Sequence, residues 1–124
     1  MHETALIQQL LRQVEHAARE AGATRVTAVY LKAGEFVGVH PKLLESAFEQ
    51  LKVGTLAESA RLEIETVPLE VFCESCCVTI RVEHFRFRCP VCGNGRTRVV
   101  AGEELILESL SVVTKSETCE VVGP

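Results

Sequence analysis

Four of the six cysteines stand in two close pairs, Cys73-x-x-Cys76 and Cys89-x-x-Cys92, separated by the twelve residues from Cys77 to Arg88. Four soft thiolates in two such pairs suit a tetrahedral Zn2+ with no open coordination position, the pattern of a structural zinc site. Each C-x-x-C folds as a tight knuckle: Pro90 presets φ, and Gly93 supplies a left-handed residue that aims backbone N–H groups at sulfur. Two disulfides or a redox dithiol are the alternative chemistry for the same residues. The second pair, CPVCG, resembles half of a zinc ribbon more than a thioredoxin active site. The expectation is one Zn2+ on Cys73, Cys76, Cys89 and Cys92, in a zinc-ribbon module. No Ser/His/Asp grouping, Gly-rich phosphate loop or paired-carboxylate arrangement is visible, so the chain does not read as an enzyme.

The totals limit what can hold these residues. At 124 residues, 47% hydrophobic and 24% charged, the chain is a globular domain, or one small domain plus a metal-held module. No apolar run approaches the ~18 residues that span a bilayer. The opening MHETALIQQLL lacks the basic flank and cleavage pattern of a signal peptide, so the expected location is the cytoplasm, where thiols stay reduced. Charge is uneven. Residues 73–98 hold Arg81, Arg86, Arg88, Arg96 and Arg98 against Glu74 and Glu83, a formal +3, while the remainder carries −7, together the chain's −4. Four thiolates with one Zn2+ would lower the module to about +1, a weak field for phosphates. Membrane binding is excluded on this reading, and nucleic-acid binding is not indicated.

Around the module the periodicities predict a small α+β fold. Residues 3–21 form an amphipathic helix, with Leu6, Ile7, Leu10, Leu11, Val14, Ala17, Ala18 and Ala21 inward and His16 on the solvated face; Gly22 stops it. Arg25 to Ala33 is a strand, central and covered on both faces because both parities are largely apolar. Pro41 opens a second helix that runs to about Lys52, with Leu43, Leu44, Ala47, Phe48 and Leu51 buried. His40 stands at the N-cap position, which Asp or Ser serves better, and reads as a turn residue. Residues 61–72 form one strand whose apolar face changes register at Pro68, which argues for an edge or a bulge. Residues 78–88 form a hairpin that turns at Glu83–His84 and links the knuckles. Residues 104–114 supply the last strand, and 115–124 a frayed, flexible tail. The domain assignment is 1–72 plus 99–114 as an α+β domain, two helices on a three-stranded sheet, with the zinc ribbon 73–98 inserted.

Taken together, the N-terminal MHE, the run GEFVGVHPKLLESAFEQLKVGTLAESARLEIETVPLE, the two C-x-x-C pairs and GEELILESLSV resemble the HypA/HybF family over Met1 to about Val113. The resemblance implies a nickel metallochaperone for [NiFe]-hydrogenase maturation, with a nickel site at Met1, His2 and Glu3. It also implies zinc on the four paired cysteines and work alongside the GTPase HypB and the hydrogenase large subunit. Some members of the family also supply urease. The residues allow the nickel chemistry. In an X-His N-terminus the free amine, the deprotonated His2 amide nitrogen and the His2 imidazole can form fused chelate rings in a plane that Ni2+ accepts. The Glu3 amide or another histidine closes the plane, and His84 is a further candidate donor.

Three positions depart from the family pattern. Cys77 stands where many members have Gly, placing a fifth thiol beside the zinc ligands. His40 replaces an acidic residue before Pro41, and Cys119 lies beyond the resemblance, where it could link two chains. The oligomeric expectation is a monomer or homodimer. The competing functional reading is a zinc-ribbon adaptor that binds protein or nucleic acid through the arginines of 81–98, and a third is a thiol oxidoreductase.

Overall fold

A computed structural model of the chain describes every residue except Met1 and Phe85, and only the backbone of His2. Two compact units are present. The first comprises Met1–Lys32, Val39–Glu65 and Ile106–Pro124; the second comprises Ala33–Gly38 and Thr66–Leu105.

In the first unit, helix α1 (His2–Glu20) packs on helix α2 (Pro41–Leu51). The expected stripe of α1 is buried at Ile7, Leu10, Leu11, Val14, Ala17 and Ala18, and the helix stops where Gly22 takes φ 70°. That left-handed turn lets the Gly22 N–H bond to the Arg19 carbonyl at 3.0 Å. On α2 the stripe is narrower than expected. Leu44, Ala47 and Phe48 are buried, but Leu43 is 52% exposed. His40 is the N-cap itself, its Nδ1 accepting from the Lys42 N–H at 3.1 Å, so the imidazole does the work of an Asp side chain. The loop after α2 is tied to α1 by Glu15, which accepts the Leu56 N–H at 2.7 Å and pairs with Arg19 at 3.3 Å.

The sheet of this unit has the order β2 (Arg61–Val67), β1 (Ala23–Gly34), β6 (Leu105–Thr114), β7 (Cys119–Val122). Strand β1 is central, as expected, but its second face is polar rather than covered. Thr27 donates to the Ser111 carbonyl at 3.2 Å, and Arg61 Nη2 donates to the Tyr30 hydroxyl at 3.2 Å. Lys32 lies 3.8 Å from both Glu65 and Glu108. The reason is a change of parity. Ala28 and Val29 are neighbours and both are fully buried, so one buried face changes parity within the strand. A strict period of two counts that single face as two.

The tail is not frayed. Strand β7 pairs antiparallel with β6, from Val113 opposite Cys119 to Leu110 opposite Val122, and adds a fourth strand to the three expected. Its turn is built from hydroxyls and one left-handed residue. Thr114 Oγ1 and Ser116 Oγ lie 3.0 Å apart, and Glu117 takes φ 60°. Polar composition marked a turn here, not disorder.

The second unit holds the sheet β4 (Val78–Arg81), β3 (Glu70–Cys73), β5 (Thr97–Ala101). The single strand expected over 61–72 is therefore two, β2 and β3, which join different sheets either side of Pro68. Proline has no N–H to continue a ladder, and here it ends one rather than bulging it. The expected hairpin over 78–88 is also different. Strand β4 returns onto β3, pairing Cys73 with Val78 and Glu70 with Arg81, so the hairpin encloses the first knuckle. A turn does occur at the expected residues, with the Arg86 N–H on the Glu83 carbonyl at 3.0 Å and His84 at φ 53°, but among the described residues up to Arg88 no return strand follows it. A small core of Leu69, Val71 and Val82, with Phe87 and Val99 against it, lies within this unit. Two glycines make a close backbone approach here. A Cβ on Gly34 would sit 2.3 Å from the Gly102 carbonyl, and one on Gly102, itself at φ +86°, would sit 2.5 Å from the Pro68 oxygen.

Candidate metal centre

Strand β3 ends on Cys73, whose pairing with both Val78 and Thr97 clamps the first knuckle between two neighbouring strands. Within the knuckle the Cys77 N–H returns to the Cys73 carbonyl at 2.8 Å, and the Cys76 N–H points at Cys73 Sγ at 3.5 Å. The second knuckle repeats the turn, with the Gly93 N–H on the Cys89 carbonyl at 2.8 Å. The residue after the second cysteine is left-handed in both, Gly93 at φ 70° and Cys77 at φ 56°. Cys77 thus occupies the site that chain geometry reserves for glycine. Its side chain is exposed and turns away to the Glu74 carbonyl at 3.8 Å, outside the four-sulfur cluster.

The four expected cysteines do converge. One sulfur each from Cys73, Cys76, Cys89 and Cys92 lies within 4.8 Å of the others. Cys73 Sγ is 3.7 Å from Cys92 Sγ, and Cys89 Sγ is 3.9 Å from Cys76 Sγ. Zinc–sulfur bonds of about 2.3 Å arranged tetrahedrally put sulfurs about 3.8 Å apart, so the donor set fits Zn2+. These separations are too long for disulfide bonds, and all six cysteines are free. Bound there, Zn2+ would cross-link β3 to the loop before β5 and leave no position for a substrate.

The sulfurs are not equivalent. Backbone N–H groups of Cys92 and, more weakly, Val91 point at Cys89 and lower its pKa from 9.0 to about 7, against the opposing effect of burial. Cys76 is pushed from 9.0 to about 12, chiefly because hydrogen bonding with Cys92 favours its thiol form, with burial and the other two cysteines adding to it. The backbone of the second knuckle thus favours the Cys89 thiolate, whereas the hydrogen bonding around Cys76 favours its thiol.

One bracing residue escaped the sequence reading. Asn94 donates from Nδ2 to Ser75 Oγ at 2.6 Å and accepts the Arg96 N–H on Oδ1 at 2.9 Å, tying one knuckle to the other. The Asn between Gly93 and Gly95 was the available signal, since Asn in a tight turn bonds to backbone two residues on. Arg98 lies 5.0 Å above the Phe72 ring and 3.9 Å from Glu74, so one module arginine serves the fold itself.

The remaining candidates fall elsewhere. His2 and Glu3 begin α1, with Glu3 half-buried in its first turn; Met1 and the His2 side chain lie outside the described residues. His84 is exposed on the loop after β4, in the other compact unit. His16 is exposed, 4.0 Å from Glu20. No helix among the described residues is long and apolar enough to cross a membrane.

Residues 1–112 match the model of the family described as "Hydrogenase/urease nickel incorporation, metallochaperone, hypA". The chain belongs to the HypA family. It is 43% identical over 111 residues to the hydrogenase maturation factor HypA of a Roseiflexus species, covering 89% of this chain and 90% of that one. The HypA of Nitrosospira multiformis is likewise 43% identical, over 92% of this chain and 99% of its own. The solution structure of the nickel metallochaperone HypA from Helicobacter pylori superposes with a TM-score of 0.72 at 25% identity, over 93% of this chain and all of that one. As a HypA, the chain is a nickel metallochaperone of hydrogenase maturation, with a four-cysteine cluster that fits a structural zinc. Its cargo is Ni2+, and the zinc-ribbon adaptor reading is not favoured.

Proposed function

We propose that this HypA holds its nickel at the amino-terminal end of α1. The Met1 amine, the His2 amide nitrogen and the His2 imidazole form the chelate, and the Glu3 amide closes the plane. The observation that carries this reading is the family match, which begins at residue 1 and so includes Met1-His2-Glu3. Nitrogen donors in a plane suit Ni2+, whereas the sulfur tetrahedron suits Zn2+, so one chain keeps the two metals apart by ligand chemistry. Nickel beside a helix N-terminus opposes the helix dipole, and the deprotonated amides and Glu3 offset that charge.

In this reading Cys73, Cys76, Cys89 and Cys92 keep their Zn2+ throughout, as structure rather than cargo. The protein is a carrier, not a catalyst. It works in the reducing cytoplasm and passes nickel toward the hydrogenase large subunit in concert with the GTPase HypB. Substituting His2→Ala should abolish tight Ni2+ binding and leave zinc content and folding intact. Adding one residue before Met1 should do nearly the same, because it removes the amine from its chelate ring. Nickel titration followed by absorption spectroscopy, beside metal analysis, reads both effects. An extended protein that binds one nickel as tightly as the native chain would place the site elsewhere, with His84 and Cys77 the next candidates.

A further inference from the structure

Inside the second unit, a cavity of about 900 Å³ opens between β4 and the loop that leads into the second knuckle. Arg81, Arg86 and Arg88 line it, with His84, and Glu83 is the one carboxylate among the lining residues. Its apolar lining comes from Val71, Ile80 and Phe87. The guanidinium groups are not consumed by the fold. Arg81 is 61% exposed and pairs with Glu35 at 3.6 Å. Arg88 gives one N–H to the Gly93 carbonyl, leaving the others of its fork, and Arg86 is exposed.

We infer that this cavity docks an acidic, extended segment of a partner protein. The volume is more than an inorganic anion fills, and it suits several side chains. Guanidinium forks over an apolar lining match a segment in which acidic and apolar residues alternate. In an extended chain successive side chains point to opposite sides, so carboxylates meet the arginines while apolar groups pack inward. Nucleic acid fits less well. Its phosphates would find three arginines among the lining residues and gain nothing from Val71, Ile80 and Phe87. None of the proposed nickel donors Met1, His2 and Glu3 lines the cavity, so this inference stands apart from the nickel site.

The test uses the zinc-loaded full-length chain and a fluorescein-labelled peptide of alternating Glu and Leu, read by anisotropy. Binding should appear, weaken as salt is raised, and fall about tenfold in Arg86→Glu, the loss of one charge-assisted contact. Zinc content and nickel titration should be unchanged in that variant, since Arg86 is exposed and outside both metal sites. A Gln-Leu peptide should not bind. The inference is overturned if the Glu-Leu peptide fails to bind, if the Gln-Leu peptide binds equally, or if Arg86→Glu binds as the parent does. Oligothymidylate that displaces the peptide and shows the same Arg86 dependence would instead assign the cavity to nucleic acid.

Discussion

Cys77 shows what one residue does at a position where conformation, rather than chemistry, is demanding. Its φ of 56° matches the 70° of Gly93 in the partner knuckle, but its Cβ pays a steric cost that glycine avoids. The thiol returns little, since it is exposed and its one polar contact is a weak 3.8 Å approach to the Glu74 carbonyl. Cys77→Gly should therefore stabilise the zinc-loaded protein by about 1 kcal/mol, with zinc stoichiometry unchanged. Denaturant midpoints of parent and variant, compared at saturating zinc, check this. A drop in zinc content would mean that Cys77 exchanges with Cys76 as a ligand.

At the scale of elements, the second unit depends on one close crossing. The Gly34 N–H meets the Glu104 carbonyl and the Phe36 N–H meets the Gly102 carbonyl, each at 2.8 Å. These bonds place the end of β1 against the Gly102 turn, which itself lies on Leu69. A methyl at Gly102 meets backbone on one side and needs a left-handed φ of +86°, so nothing flexible can give way. Gly102→Ala should destabilise this unit by on the order of 3 kcal/mol, as expected for overpacking and backbone strain together. Gly95→Ala, where a Cβ meets nothing within 4 Å, is the matched control and should fall within about 0.5 kcal/mol of the parent. Hydrogen exchange of β3 and β5 amides reports the difference. Equal protection in the two variants would mean that the crossing relaxes more easily than its backbone contacts suggest.

Across the whole molecule, the two units differ in what holds them. The first holds buried apolar stripes from two helices and a four-stranded sheet, while the second has Leu69, Val71 and Val82 at its centre. Zinc on the four-cysteine cluster, with an apparent binding free energy of ~10–16 kcal/mol in small modules, would add to what that core supplies. Its hold depends on pH with a definite sign. Cys89, lowered to about 7, favours the metal-free fold above its ordinary 9.0 and loses that contribution as pH falls through 7. Cys76, raised to about 12, contributes below 9.0 and loses that contribution only as pH rises toward 12. Zinc binding displaces every remaining thiol proton, so affinity falls as pH falls, most steeply below about 7 where Cys89 also reprotonates. Lowering pH from about 8 to about 5, or adding a chelator at neutral pH, should release zinc and strip exchange protection from β3 and β5 while α1 and β1 stay protected. Simultaneous loss in both units would show that they unfold as one.

Much of this protein was legible in the chain alone. Spacing picked out the four cysteines whose sulfurs converge, because two C-x-x-C pairs suit one tetrahedral metal. Periodicity placed both helices, since Ile7, Leu10, Leu11, Val14, Ala17 and Ala18 recur at helical intervals whatever they pack against. Gly22 and Pro41 marked ends and starts through local sterics. What the chain alone did not determine was pairing. Pro68 was visible as a break, but only the tertiary structure assigns β2 and β3 to different sheets. The fourth strand and the β3–β4 hairpin were hidden for the same reason: hydrogen-bond partners lie far along the chain, and a short polar or mixed run carries no sign of which strand it joins. Leu43 likewise reads as core by its interval and is 52% exposed, because the width of a buried stripe is set by what stands opposite it. Local geometry is written in local residues, whereas burial and pairing are decided by the partner surface.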